Sequence, residues 1–304
     1  MSTAAPPPEP TAGAEPLRVG LVGAGPWARF VHAPMLARHP RTALAGVWAR
    51  RPEAAAELAA EHGSAAAASF DELLGSCDAV AFAVPPDVQA EMGVVAARAG
   101  KALLLEKPIA LDVDAATRLA DAVGEAGVGS QIVLTWRYTE AVRGFLAAVA
   151  EAEPIGGRGH FLAGAALGGP FATPWRAEQG PLMDLGPHLL DTLDAALGPV
   201  VGLRAHGDRS RWVGLLLEHE SGLVSEASLT ARSGVAPSRA GVEVHTEAGV
   251  IEVDAAAAAG PDAFVTVVDE LVATAAGTPH PLDATRGLHL QRLLAAAAAD
   301  LDAR

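Results

Sequence analysis

Over the first 135 residues, short apolar runs alternate with longer stretches whose apolar positions recur at helical spacing. "PLRVGLVGAGPWARFVHAPMLARHP" begins with an apolar run, turns on glycines, and continues through Trp27, Phe30, Val31, Met35 and Leu36 at helical period. "TALAGVWA" reads as a second strand, and "RPEAAAELAAEHG" as a helix closed by a C-terminal glycine. The unit then repeats through "DELLGSCDAVAFAVPP", "DVQAEMGVVAARAGKALLLEKP" and "DVDAATRLADAVGEAG", and "SQIVLTW" closes the series near residue 135. Strands alternating with helices predict a parallel sheet.

The second half has another rhythm. "RGHFLAGAAL" reads as a strand and the segment from residue 181 to Leu197 as a helix. "VVGLRAHG", "RWVGLLLEHE", "GLVSEASLTAR", "GVEVHTEA" and "VIEVD" then follow as short strands divided by Gly, Ser or Asp turns, with no helix between them. That pattern predicts an antiparallel sheet. Two helices, "PDAFVTVVDELVATAAG" and "DATRGLHLQRLLAAAAADL", finish the chain. The expected fold class is α/β, with residues 17–135 as a first domain on a parallel sheet and residues 136–304 as a second α/β domain with a large, mostly antiparallel open sheet. Residues 1–16 are expected to be a disordered tail, since "MSTAAPPPEPTAGAEP" has little to bury and lacks the basic and apolar regions of a signal peptide.

Three short segments carry candidate chemistry. Gly23-Ala24-Gly25-Pro26-Trp27-Ala28 is a G-x-G-x-x-A turn between a strand and a helix, where a pyrophosphate can rest on a helix N-terminus. An ordinary glycine-rich turn is the alternative. At the end of the second strand, where an acidic residue suits the ribose of NAD, the chain has Arg50 and Arg51. Guanidinium groups suit a 2′-phosphate, so NADP is expected over NAD, unless the two are solvated helix-entry charges. Glu106-Lys107-Pro108 ends a strand on the carboxyl edge of the sheet. Lys107 and Lys101, at an exposed-looking turn, are the only lysines in a chain that otherwise uses arginine.

The third segment is "PLMDLGPHLLD", residues 181–191. At about 100° per residue, Asp184, His188, Asp191 and Ala195 share one stripe, with Leu182, Leu189, Leu193, Ala196 and Leu197 opposite. Asp184 and His188, at i and i+4, are expected to be neighbours pointing away from the leucines and toward Lys107, the carboxylate orienting the imidazole and raising its pKa. This is an acid/base pair for a hydroxyl proton. A solvated polar face or an Asp/His/Asp metal site would show the same spacing, although no further His, Cys or Glu cluster completes a coordination sphere, and no metal is expected.

Composition narrows the partners. Half of the 304 residues are apolar, so a sizeable core is available, and no run reaches the length of a membrane span. The net charge of −14 argues against nucleic acid and anionic membrane. A soluble cytoplasmic protein acting on a small molecule is expected. Cys77, the single cysteine, reads as a small buried apolar group.

Taken in order, these segments resemble the Gfo/Idh/MocA family of NAD(P)-dependent oxidoreductases, typified by glucose-fructose oxidoreductase and inositol dehydrogenase. The resemblance runs from about residue 17 and rests on Gly23-x-Gly25-x-x-Ala28, "AVPPDVQAE", Glu106-Lys107-Pro108, "GPLMDLGPHLLD" and "DATRGLHLQRLL". It implies that residues 17–135 are a dinucleotide-binding Rossmann domain and residues 136–304 a substrate-binding and oligomerisation domain, with a cofactor site at Gly23, Gly25, Pro26, Trp27, Arg50, Arg51, Val84, Pro85, Glu106 and Lys107. It implies catalysis by Lys107, Asp184 and His188, the bond from Lys107 to Pro108 being commonly cis in the family. Trp136, Arg137, Tyr138 and Trp175 are candidates for the substrate pocket, with inter-domain packing as the other reading. The implied activity is hydride transfer between NADP and a secondary alcohol or carbonyl carbon of a sugar, cyclitol or related polar metabolite, in a homodimer or homotetramer joined through the second sheet. A non-catalytic cofactor-binding regulator and a redox-neutral enzyme with tightly held cofactor are the alternatives. Departures from the family pattern are Ala28 for a third glycine, Gln89 where many members have histidine, and Gln179-Gly180-Pro181 in place of a Gly-rich run.

Overall fold

A computed structural model describes residues 15–168, 174–258 and 260–303, with the backbone alone for 174–177. Most of the expected tail therefore lies outside the described residues. Strands β1 (Leu17–Val22), β2 (Thr42–Trp48), β3 (Ala79–Phe82), β4 (Ala102–Leu105) and β5 (Ser130–Ile132) form a parallel sheet in the order β2-β1-β3-β4-β5. Every residue of β3 and β4 is buried, which is why these strands read as unbroken apolar runs. The helices between them are α1 (Ala33–Arg38), α2 (Pro52–Glu61), α3 (Phe70–Ser76), α4 (Pro86–Arg98) and α5 (Val113–Ala126). A π-type turn, Ala28–His32, leads into α1. Local chemistry sets their ends: Ser69 and Asp112 accept from the backbone of Glu72 and Ala115, and Gly127 closes α5 in the left-handed conformation. The connections reverse direction between β1 and β3, and the crevice beyond their carboxyl ends is where an open α/β sheet binds ligands.

After a 3-10 turn (Thr135–Tyr138) and α6 (Glu140–Ala150), a second sheet is built from β6 (Pro154–Leu162), β7 (Val200–Asp208), β8 (Trp212–His219), β9 (Val224–Thr230), β10 (Arg239–Thr246) and β11 (Gly249–Asp254). Its order is β11-β10-β6-β9-β8-β7, antiparallel except where β6 meets β9. Helix α7 (Pro174–Leu197) lies across one face of this sheet, while Trp212, Leu216 and Val224 are exposed on the strands. The chain ends in α8 (Ala255–Ala258), α9 (Asp262–Ala275) and α10 (Ala284–Asp302).

A division at residue 135 separates the two sheets but not the last helices. Helix α9 packs on β4 and β5, and α10 on α5 as well as on β7 and α7. The physical reason is the open edge of β5. Ile132 N–H donates to Leu282 O at 2.8 Å and the Gln131 amide to Val267 O at 2.9 Å, so the chain's end satisfies groups that an edge strand would leave free. Lys101 also departs from expectation: it is half-buried and donates to Cys77 O at 2.9 Å, and so has a structural use. Cys77 is buried, which pushes its thiol pKa up. Among the described residues no helix is long and apolar enough to cross a membrane.

Helix α7 is two helices in one. Gly180 breaks it with φ 70° and ψ −174°, and Pro181 opens the second part, where its missing N–H and fixed φ fit the first turn. From residue 180 to 194 every position is buried. The expected contrast of a core face and a polar face is therefore a contrast of two buried faces, leucines on the sheet and a polar stripe against the rest of the molecule.

A Cβ at Gly180 would meet Arg209 O at 2.2 Å in addition to the strain of positive φ, whereas one at Gly63 (φ 65°) has nothing within 4 Å. In thermal or urea denaturation Gly63→Ala is expected to lose about 1 kcal/mol and Gly180→Ala more than about 2 kcal/mol. Equal losses would show that α7 does not need this break.

Candidate active site at the domain junction

The glycine turn has the form a dinucleotide needs. Gly23 has φ 116°, and a Cβ there would meet Ala83 O at 2.4 Å, so the turn is pressed against the end of β3. Gly25 has open space around its missing side chain, with nothing within 4 Å, and the helix begins directly after it at Pro26. This combination of open backbone and helix N-terminus fits a pyrophosphate. Val84 borders the turn, its Cγ1 being 3.1 Å from the Cβ position of Gly23, and Pro85 caps α4. Arg50 and Arg51 are exposed just past the end of β2, and no acidic side chain among the described residues pairs with either.

The Glu106-Lys107-Pro108 element is held from three sides. Gln89 of α4, fully buried, accepts from Glu106 N–H at 2.8 Å and donates toward the carbonyls of Glu106 (2.8 Å), Ile109 (3.2 Å) and Pro108 (3.4 Å). The residue that departs from the family's histidine thus grips backbone. The Glu106 carboxylate accepts from Trp27 Nε1 at 2.5 Å and lies 2.8 Å from His32 Nε2, tying the element to the glycine turn. Trp27 and Glu106, both expected at the cofactor, are bonded to each other, and Phe264 of α9 packs edge-on against Trp27. The Lys107–Pro108 bond is cis.

From the third side comes α7. Lys107 Nζ donates to Asp184 O at 2.6 Å and to Asp184 Oδ1 at 3.0 Å, the Asp184 side chain being buried and that of Lys107 part-buried. One turn later, His188 is stacked on Trp136, ring centroids 5.4 Å apart and planes inclined by 27°, with Phe161 of β6 at 6.3 Å. Lys107, Asp184 and His188 therefore converge from the edge of the first sheet and the helix of the second domain.

One expectation reverses. Asp184 was expected to raise the imidazole pKa; instead it is lowered from 6.5 to about 3. Burial is the largest cause and the Lys107 ammonium the second, and the Asp184 carboxylate opposes both without overcoming them. The ring is neutral at pH 7, and its buried Nδ1 has no hydrogen-bond partner among the described residues.

The remaining pocket candidates divide. Trp136 is at the site, through its stack on His188. Arg137 spends Nη1 on the buried Asp191 carboxylate at 3.0 Å. Tyr138 is core: its hydroxyl donates to Ile132 O at 2.7 Å and its ring stacks on His280, so it is a packing residue. The side chain of Trp175 lies outside the described residues. Sequence reasoning missed His32, the use of Gln89, Phe161 and the partners of Asp191. Asp191 was visible on the polar stripe, but the basic groups that meet it come from residues 137 and 286, far away in sequence. Among the described residues no three His, Cys, Asp or Glu side chains converge as metal ligands.

Known proteins share parts of this sequence and the whole of this fold. The model of the Gfo/Idh/MocA oxidoreductase family, with its NAD-binding Rossmann fold, matches residues 17–132. The chain is 40% identical over 103 residues to UDP-N-acetylglucosamine 3-dehydrogenase of Acidithiobacillus ferrooxidans, covering 34% of this chain and 32% of that protein. It is 30% identical over 200 residues to dTDP-3,4-didehydro-2,6-dideoxy-alpha-D-glucose 3-reductase of Streptomyces violaceoruber, covering 62% and 56%. The matches thus span from about a third to just over half of these relatives' length. The whole fold recurs in GenD2 from gentamicin A biosynthesis, solved in complex with NAD, with a TM-score of 0.84 over 98% of this chain and 97% of that one at 22% identity.

Two measurements check the site. Gln89→Leu leaves Glu106 N–H without its buried acceptor and is expected to cost about 1–3 kcal/mol in urea unfolding. The unfolded chain protonates His188 near 6.5 and the folded ring only at about 3, so stability falls as pH drops through that window. His188→Gln binds no proton there and is expected to show a shallower decline between pH 6.5 and about 4. An unchanged slope would mean that the imidazole is not buried in its neutral form.

Proposed function

We propose that this chain is an NADP-dependent oxidoreductase that moves a hydride between the nicotinamide and a secondary alcohol or carbonyl carbon of a sugar, cyclitol or related small polar metabolite. The observation that carries the reading is the meeting of Lys107, Asp184 and a neutral, buried His188 beside a glycine turn shaped for a dinucleotide. The dinucleotide, when bound, supplies or accepts the hydride; the chain's own residues handle the proton and the oxygen. A neutral imidazole is the form that accepts a hydroxyl proton, so His188 serves as the base in oxidation and returns that proton in reduction. Lys107, held by Asp184, donates to the substrate oxygen and stabilises the negative charge that develops there. Proton uptake by His188 creates a cation beside Lys107, and Asp184 offsets that repulsion.

A sugar hydroxyl is supported by the matched relatives, which are named for 3-dehydrogenase or 3-reductase activity on sugar derivatives. NADP is favoured because Arg50 and Arg51 have no acidic partner among the described residues where the adenosine ribose lies in this fold, and a 2′-phosphate would give them one. We also propose a homo-oligomer formed through the second sheet, whose strands expose Trp212, Leu216 and Val224.

Sugars, cyclitols and nucleotide sugars screened by nicotinamide absorbance, with NADP and NAD in parallel, test the whole reading. With the substrate so found, Lys107→Met and His188→Gln are each expected to cut turnover by about 10²–10⁴ while NADP affinity survives. Normal turnover in either variant would remove the assigned roles. Arg50→Ala is expected to weaken NADP about tenfold with little change for NAD. A tenfold preference of the wild type for NAD would contradict the arginine reading.

A further inference from the structure

The active-site helix carries more buried charge than Lys107 and Asp184 account for. Asp191, one turn beyond His188, is fully buried, and both of its carboxylate oxygens are used: Oδ2 accepts from Arg137 Nη1 at 3.0 Å and Oδ1 from Arg286 Nε at 2.7 Å. Arg286, from the first turn of α10, also donates to Asp191 O at 3.0 Å and pairs with Asp194, which in turn lies 2.7 Å from His289 Nε2. Two guanidinium groups and two carboxylates are thus packed at the crossing of α7, α10 and the 3-10 turn.

A buried ion cluster is a poor device for stability alone, since desolvation takes back most of the Coulomb gain. What it fixes well is geometry, because each fork accepts a partner in few orientations. Its place in the chain shows which geometry. Arg137 follows Trp136 directly, and Asp191 follows His188 by three residues, so the 137–191 bond joins two backbones beside the residues that form the ring stack. Phe161 closes the far side at 5.0 Å from Trp136 and 6.3 Å from His188 but carries no directional bond to either. We propose that Arg137, Asp191 and Arg286 act as a clamp of positioning residues that holds Trp136 face to face with the His188 imidazole. The inference rests on the reading of His188 as the proton-transfer group. Among the described residues no hydrogen bond joins any of the three side chains to the His188 imidazole, so they act on it through position.

The stack supplies a readout that needs no substrate, the ring-current displacement of the His188 Hε1 resonance in proton–carbon NMR of histidine-labelled protein at pH 7.5. His188→Gln assigns the resonance, and Trp136→Leu gives its unstacked position. In Arg137→Met the resonance is expected to move most of the way to the unstacked position, and in Arg137→Lys, which keeps the charge but not the fork, part of the way. A folded Arg137→Met protein with the wild-type resonance would overturn the clamp. Should Arg137→Met not fold, Arg137→Lys and Arg286→Lys decide in the same manner: a displaced resonance supports the clamp and an unmoved one overturns it. Turnover of His188→Gln tests the proton-transfer reading separately, so either claim can fail without the other.

Discussion

The ammonium of Lys107 is the point on which the two halves of the molecule meet. It leaves the carboxyl end of β4 and is received by the side chain and the backbone carbonyl of Asp184 on α7, with almost no contact with water. Neither charge could be buried alone, because an unpaired ion in such a setting loses several kcal/mol of hydration. The pair therefore fixes where α7 lies relative to the first sheet, and with it the position of every other group on that helix. His188 illustrates the dependence: its neutrality follows from burial and from an adjacent ammonium, both consequences of α7 being docked on Lys107.

The same lysine is connected backward to the glycine turn. Glu106 precedes it and is bonded to Trp27 and His32 from the turn and its helix, while Gln89 holds the backbone on both sides of the lysine. One strand end is thus gripped by the glycine turn, by the next crossover helix, and by the helix that carries His188. For the proposed hydride transfer, in which cofactor, substrate oxygen and proton acceptor must lie within reach of one another, these are the connections that proximity demands. A small shift of α7 would move His188 and Asp184 together.

Much of this was legible along the chain, for reasons that differ by element. The parallel sheet was readable because β3 and β4 are buried on both faces and so leave unbroken apolar runs, and the second sheet because Gly, Ser and Asp turns divide its strands. Asp184 and His188 were readable as an i, i+4 pair whose partner is the retained lysine. Burial was not readable. The polar stripe of α7 has the same periodicity whether it faces water or an opposing charged surface, and the arginines that face it come from distant turns. For that reason the shift of the His188 pKa had the wrong sign in a local reading, in which the nearest carboxylate outweighed desolvation. Tyr138 was misplaced for a related reason: an aromatic residue beside a site has the same sequence signature whether it meets a substrate or a backbone carbonyl.

Whether the Lys107–Asp184 ion pair joins the two sheets' domains and builds the site is decided by a double-mutant cycle. Unfolding free energies of wild type, Lys107→Met, Asp184→Asn and the double variant, taken in urea at pH 7.5, give the coupling between the two side chains. A coupling of about 1–3 kcal/mol is expected, the double variant losing much less than the sum of the single ones. Additivity within about 0.3 kcal/mol would contradict it.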